Sequence, residues 1–328
     1  MRVMITGMGG DLGTRVATLV EADDRVDEVA GVDVEPPRRH LRRAEFHLVD
    51  PRDRPRMTSV VEAFAPTVLV HVGVYEPNAR SSPRTATAWT ALGSAAALDA
   101  ARRTGRLERV VVRSGTEVYG RGPSGPERPS EDVAPHPTSP FGQSLLHVER
   151  LALTEGRRAD VPVALLRMAP VLGPHVPSPL GRLLRLPFVP VPALGGGAFS
   201  VVHRDDAARA LVTAALGPAH HGPLNVLAPG EVSAWEAARL GGRVPVPVWG
   251  LGWQMAKVTG ELWSTPLPDH VVELLIRGRL AEGSRLPEVL GVVPEHSTAE
   301  VVRDVHEWGE VAWSRRGPAS TGGAAAAA

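Results

Sequence analysis

The chain has 328 residues with 36 basic and 36 acidic side chains, so its formal net charge is zero and it carries no cationic footprint for nucleic acid. It has no cysteine, which removes disulfides, thiolate metal sites and cysteine nucleophiles together. Hydrophobic residues make up 43% of it, enough for a substantial core, but no apolar run reaches the roughly 18 residues that a bilayer span needs.

Residues 2–13 read Arg-Val-Met-Ile-Thr-Gly-Met-Gly-Gly-Asp-Leu-Gly. The apolar run 3–6 predicts a buried strand that enters a glycine turn and opens a helix over residues 13–21. Because that strand starts at once, no secretory leader is expected, and the protein reads as cytoplasmic. Such a turn holds a dinucleotide pyrophosphate: glycines admit the backbone, and the helix N-terminus offers free N–H groups. Gly7, Gly9, Gly10, Asp11, Leu12 and Gly13 are therefore candidate cofactor contacts. A second strand, 29–33, ends in Asp33, 20 residues after Gly13. An acid there accepts hydrogen bonds from the adenosine ribose and repels a 2′-phosphate, which favours NAD over NADP. Asp33 alone would serve equally well as a turn-initiating residue. Arg38 and Arg39 follow closely and keep NADP as the less favoured alternative.

Further strands are predicted over 46–49, 68–72, 110–113 and 163–167, with helices over 57–64, 85–103 and 141–155. Runs apolar along their whole length suit strands covered on both faces. Their alternation with helices implies an α/β, Rossmann-like, doubly wound parallel sheet. Residues 1–174 form this cofactor domain. After that the texture turns Pro-rich, with six of the seven tryptophans at or beyond Trp235. Residues 175–316 therefore read as a smaller C-terminal substrate-side lobe with some segments returning to the sheet, and 317–328 as a disordered tail. Trp249, Trp253 and Trp263 suit the core of that lobe better than a ligand pocket. No internal repeat is present.

Several motifs in order resemble the extended short-chain dehydrogenase/reductases, the NAD-dependent epimerase/dehydratase group. Thr6-Gly7-Met8-Gly9-Gly10-Asp11-Leu12-Gly13 fits T-G-x-x-G-x-x-G, and His71-Val72-Gly73-Val74 fits H-L-A-A. Ser114 to Gly120 resembles S-S-x-x-V-Y-G, and Leu166 to Pro174 resembles L-R-x-x-N-V-x-G-P. Val202 to Ala208 resembles V-H-V-D-D-x-A, and Leu290-Gly291 with Pro294 resembles L-G-x-x-P. The resemblance covers most of residues 1–315. It implies adenine beside Asp50 and Pro51, further cofactor contacts at Val72, Gly73, Val74 and Thr90, a nucleotide-sugar substrate, no metal, and a homodimer through helices 85–103 and 141–155. Ala91, Gly93, Ala95, Ala96 and Ala97 would allow close helix approach in that dimer.

The departures fall on the catalytic positions. The family uses a Tyr and a Lys four residues apart with an assisting Ser or Thr; here those positions are Phe141, Leu145 and Gly115. Lys257 is the only lysine and Tyr75 and Tyr119 the only tyrosines, so no Tyr-x-x-x-Lys pair exists anywhere in the chain. Pro170 replaces the Asn before Val171, and Phe199 replaces an Arg that grips a diphosphate. Glu117 is the best remaining candidate for acid–base work, with Thr116 and Ser114 beside it, although a polar residue at a strand end explains Glu117 as well. His147 reads as a helix-surface or core residue, His203 as structural, and Asp205 and Asp206 as helix-capping acids. Two functions stay open. One is nicotinamide-dependent chemistry on a nucleotide sugar or similar small polar molecule by non-standard residues. The other is an inactive cofactor-binding sensor or scaffold.

Overall fold

The computed structural model describes residues 1–77, 81–121, 125–262 and 267–306. The tail 317–328 and Trp263 lie outside them. The first half alternates as the apolar runs require: β1 (Arg2–Thr6), α1 (Asp11–Glu21), β2 (Glu28–Asp33), β3 (Glu45–Leu48), α2 (Arg54–Phe64), β4 (Val68–His71), α3 (Pro83–Arg103), β5 (Arg109–Gly115), α4 (Pro140–Ala159) and β6 (Val163–Met168). Helix starts are set by local chemistry. Asp53, Ser82 and Ser139 each accept a hydrogen bond from a first-turn N–H, and proline follows within two residues of each cap. α1 begins at Asp11, two residues before the predicted start, because Gly10 serves as its N-cap in extended conformation.

The second half supplies β7 (Val171–Leu172), α5 (Pro179–Leu184), β8 (Phe188–Pro192), β9 (Val202–His203), α6 (Arg204–Leu216), β10 (Gly222–Val226), α7 (Ala234–Leu240), β11 (Val244–Val248), α8 (Gly252–Leu262), α9 (Asp269–Arg277), α10 (Arg285–Leu290) and α11 (Thr298–Asp304). The main sheet has seven parallel strands in the order β10-β6-β5-β4-β1-β2-β3. β10 comes from beyond residue 174 and closes one edge. Its Gly-Pro start hides it in sequence, and an edge strand is where a missing N–H is tolerated. One face of the sheet packs on α1 and α6, the other on α2, α3 and α4. A second core joins α5, β8, α7, α9 and α11 into the smaller lobe.

The chain runs outward from β1 to β3 on one side and from β4 to β10 on the other. The crevice between the carboxyl ends of β1 and β4 is therefore the topological switch point. Thr6 pairs with both Val32 and His71, so these strand ends are level. His71 is fully buried there. Its Nε2 lies 2.8 Å from the Ser94 hydroxyl and its Nδ1 2.7 Å from the Thr6 hydroxyl. Ser94 already donates to the Thr90 carbonyl at 2.6 Å, so it accepts from Nε2–H, and Nδ1 accepts from Thr6. The Thr6 oxygen in turn accepts from Gly73 N–H at 3.4 Å. Both ring nitrogens of a neutral imidazole are spent on holding β1, β4 and α3 together.

Burial lowers the pKa of His71 to about 4 from 6.5. The unfolded chain therefore takes up a proton near pH 6.5 that the folded chain refuses until about 4, and stability falls as pH drops through that window. The full loss is about 3 kcal/mol. Urea unfolding from pH 7 downward should show a steeper decline in the wild type than in His71→Gln; equal slopes in the two proteins would contradict this assignment.

Candidate functional site

A cleft of about 520 Å³ runs from the glycine turn across the switch point to the smaller lobe. At its near end, Gly7 has φ +75°, and a Cβ there would lie 2.7 Å from Gly73 N, so the turn closes directly on the β4 exit. Gly9 and Gly13 are equally crowded, against the Glu35 and Gly7 carbonyls. Gly10 differs: a Cβ would meet nothing closer than 3.5 Å, and Gly10 caps α1 without a side chain. Gly10 and the first-turn N–H groups, which have no intrahelical acceptor, thus face open space shaped for an anion.

Asp33 is buried at the end of β2. Its Oδ2 accepts from Gly9 N–H at 2.9 Å and its Oδ1 from Val34 N–H at 2.7 Å and the Tyr75 hydroxyl at 3.2 Å. Burial pushes the Asp33 carboxyl up, opposed by these hydrogen bonds. Tyr75, set edge-on to Trp89 at 5.3 Å, is pushed up by burial and by Asp33, so its phenol stays protonated. Glu35 and Arg38 border the same end of the cleft. Val72, Gly73, Val74, Asp11 and Leu12 also line it. Asp50, Pro51 and Thr90 do not: Asp50 pairs with Arg52 at 2.6 Å on the surface, Pro51 is buried against Gly93, and Thr90 Oγ1 accepts from Tyr75 N–H at 3.0 Å. Through Tyr75, Thr90 shapes the wall without forming it. Tyr75 and Trp89, which also line this wall, belong to no motif of the sequence; an aromatic pair close after the β4 exit is their one local signal.

The far end is built around the missing pair. Phe141 lines the cleft, while Leu145 is fully buried in a small apolar cluster with Val118 and Tyr119. A Cβ at Gly115 would lie 2.2 Å from Glu117 Oε2 and 3.0 Å from Leu145 Cδ1, so the Glu117 carboxylate fills the space of the absent Ser or Thr side chain. Its Oε1 accepts from Arg279 Nη1 at 3.1 Å. Arg279 is 3% exposed, and its Nε and Nη2 have no hydrogen-bond partner among the described residues, although Glu273 lies 3.6 Å from Nη2. Unspent guanidinium N–H groups beside a cleft suit an anionic or hydroxylated ligand. Arg113 and Arg182 line the same region. His270 stacks on Phe141 with centroids 4.7 Å apart, and its Nε2 lies 2.8 Å from Glu76 Oε1.

Ser114 and Thr116 are not brought to the cleft with Glu117. The Ser114 hydroxyl donates to Glu149 at 2.6 Å, and Glu149 is gripped by Arg167 through two hydrogen bonds of 2.9 and 2.8 Å. Arg167 also donates to the Tyr119 hydroxyl, which donates to Asn225. This buried network fastens β5, α4, β6 and β10 together. Thr116 Oγ1 is buried and has no hydrogen-bond partner among the described residues.

The remaining singled-out residues lie elsewhere. His147 is exposed on α4, Trp253 is in the second core, and Trp249 is 71% exposed, contrary to its expected core position. Pro170 lines the cleft, whereas Phe199 is fully buried and bridges Val232 and Arg279 through its backbone. His203 caps α6 by accepting from Asp205 N–H, and Asp205 pairs with Arg15 of α1. His203, Asp206 and His296 cluster closely enough to hold a metal ion. Asp206 is already engaged by Arg209 and by Glu295 N–H, which accounts for the cluster as an interlock between α6 and the segment before α11.

Residues 3–226 match the NAD dependent epimerase/dehydratase family. An uncharacterised protein of Mycobacterium tuberculosis is 29% identical over 313 residues, covering 92% of this chain and 82% of that one. Among solved structures, MoeE5 in complex with UDP-glucuronic acid and NAD is 25% identical with TM-score 0.71, covering 93% of this chain and 97% of that one. The Thermus thermophilus UDP-glucose 4-epimerase complex with NAD is 24% identical with TM-score 0.71, covering 93% and 98%. Motif order, sheet topology and the family match agree: the chain belongs to the NAD-dependent epimerase/dehydratase family.

Proposed function

We propose that this protein binds NAD and carries out nicotinamide-dependent chemistry on a nucleotide sugar or similar small polar substrate, using residues other than the absent tyrosine and lysine. The observation that carries this is the continuity of one cleft from the Gly10 turn and Asp33 to the buried Glu117–Arg279 pair. The residues fit the pyrophosphate and the adenosine ribose. Gly10 leaves room for the first, and the Asp33 carboxylate stands at the position for the second. At the nicotinamide end Leu145 offers no ammonium to the ribose. When bound, NAD supplies hydride acceptance and return. Glu117 and the unspent N–H groups of Arg279 hold substrate oxygens there, with Ser114 and Thr116 as supporting residues behind them.

A second reading, an inactive cofactor-holding sensor, is favoured by one observation: Phe141 and Leu145 are packed into an apolar cluster with Val118, Tyr119 and Leu146. We also propose a homodimer through α3 and α4. Gly93, Ala96 and Ala97 are buried within the chain, which leaves Ala91, Leu92 and Ala95 for a partner.

Calorimetry should show NAD bound in preference to NADP. Gly10→Val should abolish binding while leaving the unfolding temperature nearly unchanged, because its side chain enters the cleft rather than the core. Tighter binding of NADP would overturn the role given to Asp33. With NAD bound, a panel of nucleotide sugars should reduce the cofactor in the wild type, and Glu117→Gln should slow that reduction at least about tenfold. Binding without reduction by any member would decide for the sensor.

A further inference from the structure

We infer that His270, oriented by Glu76, is the acid–base residue of this site and takes over the work of the missing phenol. The inference rests on the redox reading above and deepens it. The two residues are 194 positions apart: Glu76 follows β4 in the sheet domain, and His270 lies in the first turn of α9 in the smaller lobe. The fold brings Nε2 to 2.8 Å from Glu76 Oε1, with the His270 side chain only 5% exposed.

A carboxylate only accepts hydrogen bonds, so Nε2 carries the N–H that meets Glu76, and in the neutral ring the lone pair is on Nδ1. Nδ1 has no hydrogen-bond partner among the described residues. The other buried imidazoles near the strand ends are differently placed: both nitrogens of His71 are engaged, and His203 caps α6. Among the described residues, His270 is the only histidine on the cleft lining. Its ring is tilted 38° to Phe141 at a centroid distance of 4.7 Å, so the imidazole stands beside the position that the sequence assigns to the phenol. Glu117, the other titratable candidate, already has Oε1 held by Arg279.

A carboxylate that fixes one nitrogen of an imidazole on a cleft lining, with the other nitrogen unengaged, is the geometry of an oriented general base. In the proposed step the substrate O–H bond breaks and an N–H bond forms at Nδ1; bound oxidised NAD would be the acceptor for the carbinol hydride and its electron pair. The resulting imidazolium is balanced by Glu76. Return of the hydride takes the same proton back.

The test uses the full chain loaded with NAD and a panel of nucleotide sugars, reading single-turnover reduction of the bound cofactor. It also reads ¹⁵N NMR of His270 with and without the sugar nucleotide. His270→Gln keeps a hydrogen-bond donor for Glu76 but has no base; it should bind NAD normally and lose about 10²–10⁴-fold in reduction rate. The smaller His270→Ala should recover part of that rate with added imidazole, which a purely structural residue would not. Reduction in His270→Gln at the wild-type rate overturns the inference and leaves the functional reading intact. If the wild type reduces no nucleotide sugar, the functional reading falls and NMR decides the dyad. An unprotonated Nδ1 whose signal moves on binding sugar nucleotide upholds it; a protonated or unmoved Nδ1 overturns it.

Discussion

The contact on which the site depends is the approach of Gly7 to Gly73, where the β1 turn touches the β4 exit with no side chain between them. A Cβ at Gly7 would come within 2.8 Å of three backbone atoms of Val72 and Gly73. That closeness requires the two strand ends to be level, and the neutral His71 bridge between Thr6 and Ser94 fixes them so. The Gly9 N–H then reaches Asp33, Gly10 faces open space, and α1 starts beside the cleft with its first N–H groups free. Protonation of His71 would turn Nδ1 into a donor facing the Thr6 hydroxyl that now donates to it, so the cradle and the charge state of one histidine are coupled.

The other end of the cleft follows a different rule. Where the family pattern has a phenol, an ammonium and a hydroxyl, this chain has Phe141, Leu145 and Gly115. The vacated volume is not empty: Glu117 turns its carboxylate into the space at Gly115, Leu145 joins an apolar cluster, and His270 covers Phe141. The polar groups that remain come from both lobes, with Glu76, Arg113 and Glu117 from the sheet domain and His270 and Arg279 from the second. The far end of the cleft is therefore built from residues of both halves of the chain, while the glycine turn and Asp33 lie within the first.

Much of the first lobe was legible because its signals are local. The Gly7 to Gly13 turn, the acid at Asp33 and the uninterrupted apolar runs each state their structure within a few residues, and all six strands predicted there form. What was not legible is long-range. β10 begins with Gly222-Pro223 and reads as a loop until β6 is beside it. The pairing of Glu76 with His270 spans 194 positions and leaves no periodic trace. Asp50, expected near adenine, pairs locally with Arg52, a competition that a two-residue spacing permits and a motif does not reveal. Ser114 illustrates the converse: the motif sets it next to the position of the family's hydroxyl, but its own hydroxyl is taken by Glu149, which balances the buried charge of Arg167.

The central claim is that one cleft holds a dinucleotide at the glycine turn and presents a substrate to a reaction centre built without tyrosine or lysine. A crystal structure with NAD and a nucleotide sugar both bound tests this most directly. The account predicts pyrophosphate oxygens against the Gly10 turn, ribose hydroxyls on Asp33, and a sugar hydroxyl within hydrogen-bond distance of His270 Nδ1 and in contact with Glu117 or Arg279. A dinucleotide seated away from the glycine turn, or a sugar with no oxygen near these residues, would contradict it.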